Sequence, residues 1–325
     1  MQLAVSPDNA ENCLGGFPEG MDLGLLNLGM LKNERLFIVN YVRGRHHLMI
    51  FEMFTYGFMQ RALLAGLLIG VLCAVLGVFL VLRRFSLIGD GLAHVSFGSV
   101  ALALFAGLEG AAMLLVSVPV VLLSSLGILR LANNSRLGGD AAIGIVSSLG
   151  VALGVTLAVL GRGYGVDLFS YLFGSILAIS RTELLVAAGL FVAVLALLWL
   201  YYHDLTALTF NEDLAAVSGV RIRYLNGLLA VLTALTVVLA MKLVGVMLIS
   251  AMLILPASTA LQVARGFRMT VLISVAVSLI AVTGGIVISF LLNIPTGATI
   301  ILLAFLLFCC GMVYRKGQRS GSRGK

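Results

Sequence analysis

About nine stretches of roughly 20 apolar residues run through this sequence, each long enough to cross the hydrocarbon core of a bilayer. Hydrophobic residues make up 61% of the 325 and charged residues 11%. A water-soluble globule of that length would lack the polar surface to cover itself. The expected fold class is therefore all-α, a polytopic helical membrane protein in a lipid bilayer.

The apolar segments fall at about 57–82, 85–107, 111–132, 141–161, 183–202, 224–241, 243–264, 270–292 and 298–314. Pro256 lies inside the seventh. A less apolar stretch, RGYGVDLFSYLFGSILAIS, separates the fourth from the fifth. Residues 1–52 differ from the rest: they are mixed and loop-like, and they lack the basic, apolar and small-residue order of a secretory signal. They are expected to be a disordered arm or to precede the true start at Met49 or Met53. Residues 53–315 form the transmembrane domain, and 316–325 a basic tail.

Lys and Arg set the orientation, because cytoplasmic loops retain them. With Arg83 and Arg84 inside, alternation also places Arg130, Arg136, Arg221, Arg223, Arg265, Arg268 and the tail inside. Arg162, Arg181 and Lys242 are left outside, apart from the N-terminal arm. The amino end is thus expected outside and the carboxyl end in the cytoplasm. The net charge of +7 reflects loops at an anionic membrane face, and nucleic acid is not an expected partner. The four cysteines form no zinc pattern.

Within the second segment, LIGDGLAHVSFG places Asp90 and His94 four residues apart among apolar and small neighbours. On a helix that spacing puts both on one face. A carboxylate and an imidazole inside a span are costly unless paired, and together they make a first-row metal donor pair. Two readings are open. Either the pair touches a passing cation, or Asp90 caps the helix and His94 bonds a nearby carbonyl.

A polar loop, LTFNEDLAAVSGVRIRY, follows the fifth segment. Thr209 and Glu212 have capping-box spacing, Glu212 and Asp213 suit a helix N-terminus, and Gly219 suits the position past its end. A short helix over about 210–218 is expected, with Leu214 and Val217 on one face for a partner.

The chain has no nucleotide-binding G-x-x-x-x-G-K-[ST] loop, no H-E-x-x-H and no G-x-S-x-G. It is not expected to be an enzyme.

GDGLAHVSFG resembles the GD-x-L-x-H signature of the metal permeases of ATP-binding-cassette importers. VDLFSYLFGSILAIS, FNEDLAAVSGVRIRYLNGLLAVLTALTVVLAMKLVGVMLISAMLILPASTA and AVTGGIVISFLLNIPTGATIIL resemble further segments of that family, nearest to bacterial zinc-importer permeases. The likeness covers about 53–315. It implies a type II ABC-importer-like permease of the bacterial cytoplasmic membrane, working as a homodimer. It also implies a cytoplasmic ABC ATPase dimer docked on the helix at about 209–219 (Thr209, Glu212, Asp213, Leu214, Val217, Gly219), and an extracytoplasmic metal-binding protein that delivers the ion. Asp90 and His94 would face the pathway. No cofactor is held permanently, and the cargo is a divalent ion, zinc first and manganese or iron as alternatives. One departure is Ser175, where the family commonly carries aspartate. An ion-coupled metal carrier using Asp90 and His94 as a proton relay is the main competitor. A permease for bulky iron chelates or cobalamin would need no cation donors in its pathway.

Overall fold

A computed structural model describes residues 57–108, 112–134, 138–161, 181–292 and 294–322. The expectations for residues 1–52 and for Ser175 and its segment lie outside these. The described residues are helical and connecting, with no strand among them. In lipid the backbone must satisfy its own hydrogen bonds, and a helix does so within one segment.

We number the helices in chain order: α1 Gly57–Leu82, α2 Ile88–Phe105, α3 Met113–Asn134, α4 Gly139–Leu160 and α5 Arg181–Leu200. Then come α6 Tyr202–Phe210, α7 Glu212–Val217, α8 Ile222–Val244, α9 Val246–Val263, α10 Phe267–Leu292 and α11 Thr296–Ser322. Nine of the described helices, all but α6 and α7, are long and apolar enough to cross a membrane. They coincide with the nine expected segments to within a few residues. The last helix runs on through most of the basic tail, to Ser322.

Side-chain packing fixes the relative directions. Gly66 lies against Val282 and Ile286, and Gly70 against Ser278. The Ser274 hydroxyl donates to the Ala74 carbonyl at 3.0 Å, and that of Ser278 to the Gly70 carbonyl at 2.8 Å. Numbers rising along α1 meet numbers falling along α10, so these two run antiparallel. Gly91 meets Ile143 and Phe97 meets Gly154, so α2 and α4 run parallel. Alternating spans require both results.

The same contacts gather one end of the bundle. Phe267 at the start of α10 packs on Phe79 near the end of α1, and on Tyr202 and Phe210 of α6, with ring centroids 5.3, 6.0 and 5.9 Å apart. Arg83 reaches Glu212 and Asn226, at the starts of α7 and α8. Arg84, Arg221, Arg223, Arg265 and Arg268 stand at this end too, which we call the basic end.

The interior lies among α1, α2, α8 and α9, whose span windows are between 50% and 78% buried. Leu72, Leu76, Phe79, Leu92, Leu232 and Leu248 fill it. α3, α4 and α5 stand outside, with 17% to 22% buried, and they turn Leu115, Leu123, Val159, Leu185 and Trp199 outward. In lipid that exposure costs nothing.

Candidate cation pathway and partner-docking helix

α2 is enclosed along nearly its whole length. Gly98 and Gly150 let it approach α4 at backbone distance: a Cβ on Gly98 would lie 2.4 Å from the Gly150 carbonyl oxygen. Four residues of α2 escape burial: Asp90, His94, Leu102 and Phe105. Asp90 and His94 are one turn apart on one face of the helix and form a polar opening near the basic end; Leu102 and Phe105 open separately beyond Gly98, which is buried against α4.

His94 Nε2 lies 3.7 Å from Asp90 Oδ2, with the two side chains 30% and 45% exposed. That separation is too long for a hydrogen bond. Both groups are therefore available to a third partner between or above them. Gly77 of α1 and Gly89 of α2 both abut Leu253, the eighth residue of α9. α2 thus begins level with Gly77, about 7.5 Å of helical rise before α1 ends. Asp90 is set back from the rim of the bundle, and His94 lies a turn deeper.

The capping alternative for Asp90 does not hold. The residue at the N-cap is Leu87, in helical conformation and without a side-chain cap bond. Asp90 sits inside the first turn, where its charge favours the helix dipole but supplies no cap. Among the described residues no group of three or more His, Cys, Asp or Glu could hold a metal ion. One chain therefore offers a passing cation two donors from this pair.

The second predicted feature is present in altered form. α7 spans six residues, Glu212–Val217, instead of 210–218. Thr209 is not its cap. α6 continues through Phe210, so Thr209 stands in the last turn of α6 and its hydroxyl donates back to the Leu205 carbonyl at 2.6 Å. Asn211 takes the role instead, its Oδ1 accepting from the backbone N–H groups of Asp213 and Leu214, both at 3.1 Å. Gly219 falls where expected. Its φ of +82° ends the helix in a left-handed turn, with Gly219 N–H bonded to the Ala216 carbonyl and Val220 N–H to that of Ala215. Phe210, Leu214 and Val217 are exposed, Val217 to 88%. Outside the spans, lipid does not explain such exposure. A groove of about 630 Å³ opens between α6 and the start of α10, lined by Tyr202, His203, Phe210, Phe267 and Arg268 among others.

Reading the sequence missed Arg83 and Asn226 as members of this region. Arg83 entered only as an orientation marker. The available signals were an arginine pair directly at a span end and an asparagine in the first turns of another span.

Comparison with known proteins decides the family. The family model described as ABC 3 transport family matches residues 55–315. The chain belongs to that family. It is similar to the manganese transport system membrane protein MntC of Halalkalibacterium halodurans, 34% identical over 82% of this chain and 90% of that one. The high-affinity zinc uptake system membrane protein ZnuB of Haemophilus influenzae is 32% identical over 78% of this chain and 97% of that protein. Among solved structures, PsaBC from Streptococcus pneumoniae in complex with Fab matches at a TM-score of 0.72 and 34% identity, covering 81% of this chain and 93% of that one. The chain is thus a multi-pass transport subunit of the ABC type, not an enzyme.

Proposed function

We propose that this chain is the permease of an ATP-driven importer that moves a divalent transition-metal ion, manganese or zinc, into the cytoplasm. The observation that carries the reading is the partly exposed carboxylate–imidazole pair, Asp90 and His94, on an α2 that is otherwise mostly buried. Imidazole suits zinc, and carboxylate suits manganese. Relatives named for each metal resemble the chain to similar degrees, so the earlier preference for zinc rests on the resemblance of the motifs alone.

Two donors per chain are few, and a second copy facing the first across this pair would supply four. A homodimer with the pathway on its axis follows from that need. The basic end faces the cytoplasm by the charge rule, which puts α7 where an ATPase dimer would seat Leu214 and Val217. A binding protein outside would deliver the ion. Transport requires a site that releases what it binds, and few donors on a partly exposed face meet that requirement.

The test is uptake into proteoliposomes holding the permease, its ATPase and the delivery protein, with manganese and zinc offered singly and in competition. ATP-dependent uptake of either ion by wild type, lost in Asp90→Asn and His94→Leu at normal assembly, is the expected result. Uptake driven by a proton gradient without the ATPase would transfer the reading to an ion-coupled carrier. Unchanged uptake and selectivity in Asp90→Asn would remove the pair from the pathway.

A further inference from the structure

Arg83 occupies the connector between α1 and α2, residues 83–87, and its side chain is 5% exposed. One guanidinium nitrogen donates to Asn226 Oδ1 on α8, and another to Glu212 Oε2 on α7 at 3.3 Å. The guanidinium carbon lies 6.0 Å from the Phe85 ring centroid. Burial pulls the Arg83 pKa down from the ordinary arginine value, and the Glu212 carboxylate opposes that pull. One side chain thus joins α7, α8 and the turn that opens α2.

That turn is itself constrained. Arg84 has φ +59°, the left-handed region. Phe85 N–H bonds to the Leu80 carbonyl at 2.9 Å and Arg84 N–H to that of Val81 at 3.2 Å. This is the Schellman arrangement, in which glycine is the usual occupant. A non-glycine residue persists there only where its surroundings over-determine the conformation, and the anchored guanidinium next door is such a constraint. Beyond the turn, α2 is locked to α4 by Gly98 and Gly150 and carries Asp90 and His94. α7 packs against α6 and α8 and leaves its apolar residues uncovered.

We propose that Arg83 is a positioning residue that transmits displacement of α7 to α2, and so sets the Asp90–His94 pair in register with the state of the docked ATPase. This rests on the function proposed above. The path is short: α7, a charge-assisted bond from the buried Arg83 to Glu212, whose side chain is 55% exposed, the guanidinium, a constrained turn, and a helix packed closely on its neighbour. A planar fork can hold two acceptors at fixed angles, whereas a lysine ammonium on a flexible stem cannot.

The experiment uses the assembled importer in proteoliposomes, with Arg83→Gln, Arg83→Lys, Glu212→Gln and the double variant Arg83→Gln/Glu212→Gln. ATPase co-purification, ATP hydrolysis with and without metal-loaded delivery protein, and uptake of manganese and zinc are read per assembled complex. In Arg83→Gln, with the ATPase bound, we expect uptake to fall at least tenfold and hydrolysis to stop responding to the delivery protein. Arg83→Lys should give an intermediate loss, and the double variant should be no worse than Arg83→Gln, because both changes break one link. Normal coupling per complex in Arg83→Gln, or losses that multiply in the double variant, would overturn the proposal. If Arg83→Gln does not accumulate, Arg83→Lys decides on the same readouts, and wild-type coupling in it overturns the proposal. Absence of ATP-dependent uptake by wild type would refute the function itself; an active wild type with fully coupled Arg83 variants refutes the transmission alone.

Discussion

Gly98 of α2 and Gly150 of α4 approach so closely that a Cβ on Gly98 would stand 2.4 Å from the Gly150 carbonyl oxygen, and one on Gly150 would stand 2.7 Å from Val95 Cα. The clash is with backbone, so no rotamer change relieves it. Gly98→Ala should therefore separate the helices and cost on the order of 1–3 kcal/mol, the range for overpacking. Thermal unfolding in detergent reads the loss. An unchanged midpoint would show that the two helices can part without penalty.

The metal preference of the pair is open to redesign. His94→Asp replaces the borderline nitrogen donor with a hard oxygen, which reduces the advantage that imidazole gives zinc over manganese. Competition uptake should shift toward manganese in this variant relative to wild type. A ratio that does not move would assign selectivity to another part of the assembly.

Arg84 is the non-glycine residue with positive φ among the described residues. Arg84→Gly removes its backbone strain, partly offset by the entropy glycine loses on folding. The net gain in stability should be up to about 1 kcal/mol, visible as a raised unfolding midpoint. A lowered midpoint would mean that the Arg84 side chain contributes more than its backbone costs.

Gly219→Val forces a β-branched residue into the φ +82° position that ends α7. The permease should still insert and fold, since α7 lies outside the spans, while its ATPase should lose its response to the delivery protein. Co-purification and stimulated hydrolysis measure both halves. Wild-type stimulation would separate the α7 terminus from docking.

Gly245 alone joins α8 to α9, at φ 91° and ψ 154°, a region that essentially only glycine occupies. Gly245→Ala should cost about 1–3 kcal/mol and lower the yield of folded protein. Equal yield and equal midpoint would contradict the strained turn.

The spans were legible because length and hydropathy alone identify them; α1 was placed at 57–82, and it is Gly57–Leu82. The Asp90–His94 neighbourhood was legible from four-residue spacing. What hid was set by packing. α6 extends helix through His203, Asp204 and Thr206, which no expected segment covered; Phe267 buttresses Tyr202 and Phe210 from 57 to 65 residues away in the chain. That extension consumed Thr209 and moved the cap to Asn211. Arg83 finds its partners 129 and 143 residues downstream, and no local pattern announces such a contact. The charge count registered Arg83 as a marker of sidedness and gave no hint that its side chain is buried.

α1, α2, α8 and α9 bury one another within a single copy, while α3, α4 and α5 already face outward with apolar side chains. Formation of this interior therefore does not wait for a second chain. On that basis a newly made subunit would need only the bilayer to complete this core, since lipid tolerates the apolar faces it leaves bare. The rate at which working assemblies appear would then follow the two-dimensional density of finished subunits, so dilution in excess membrane should slow assembly without unfolding anything.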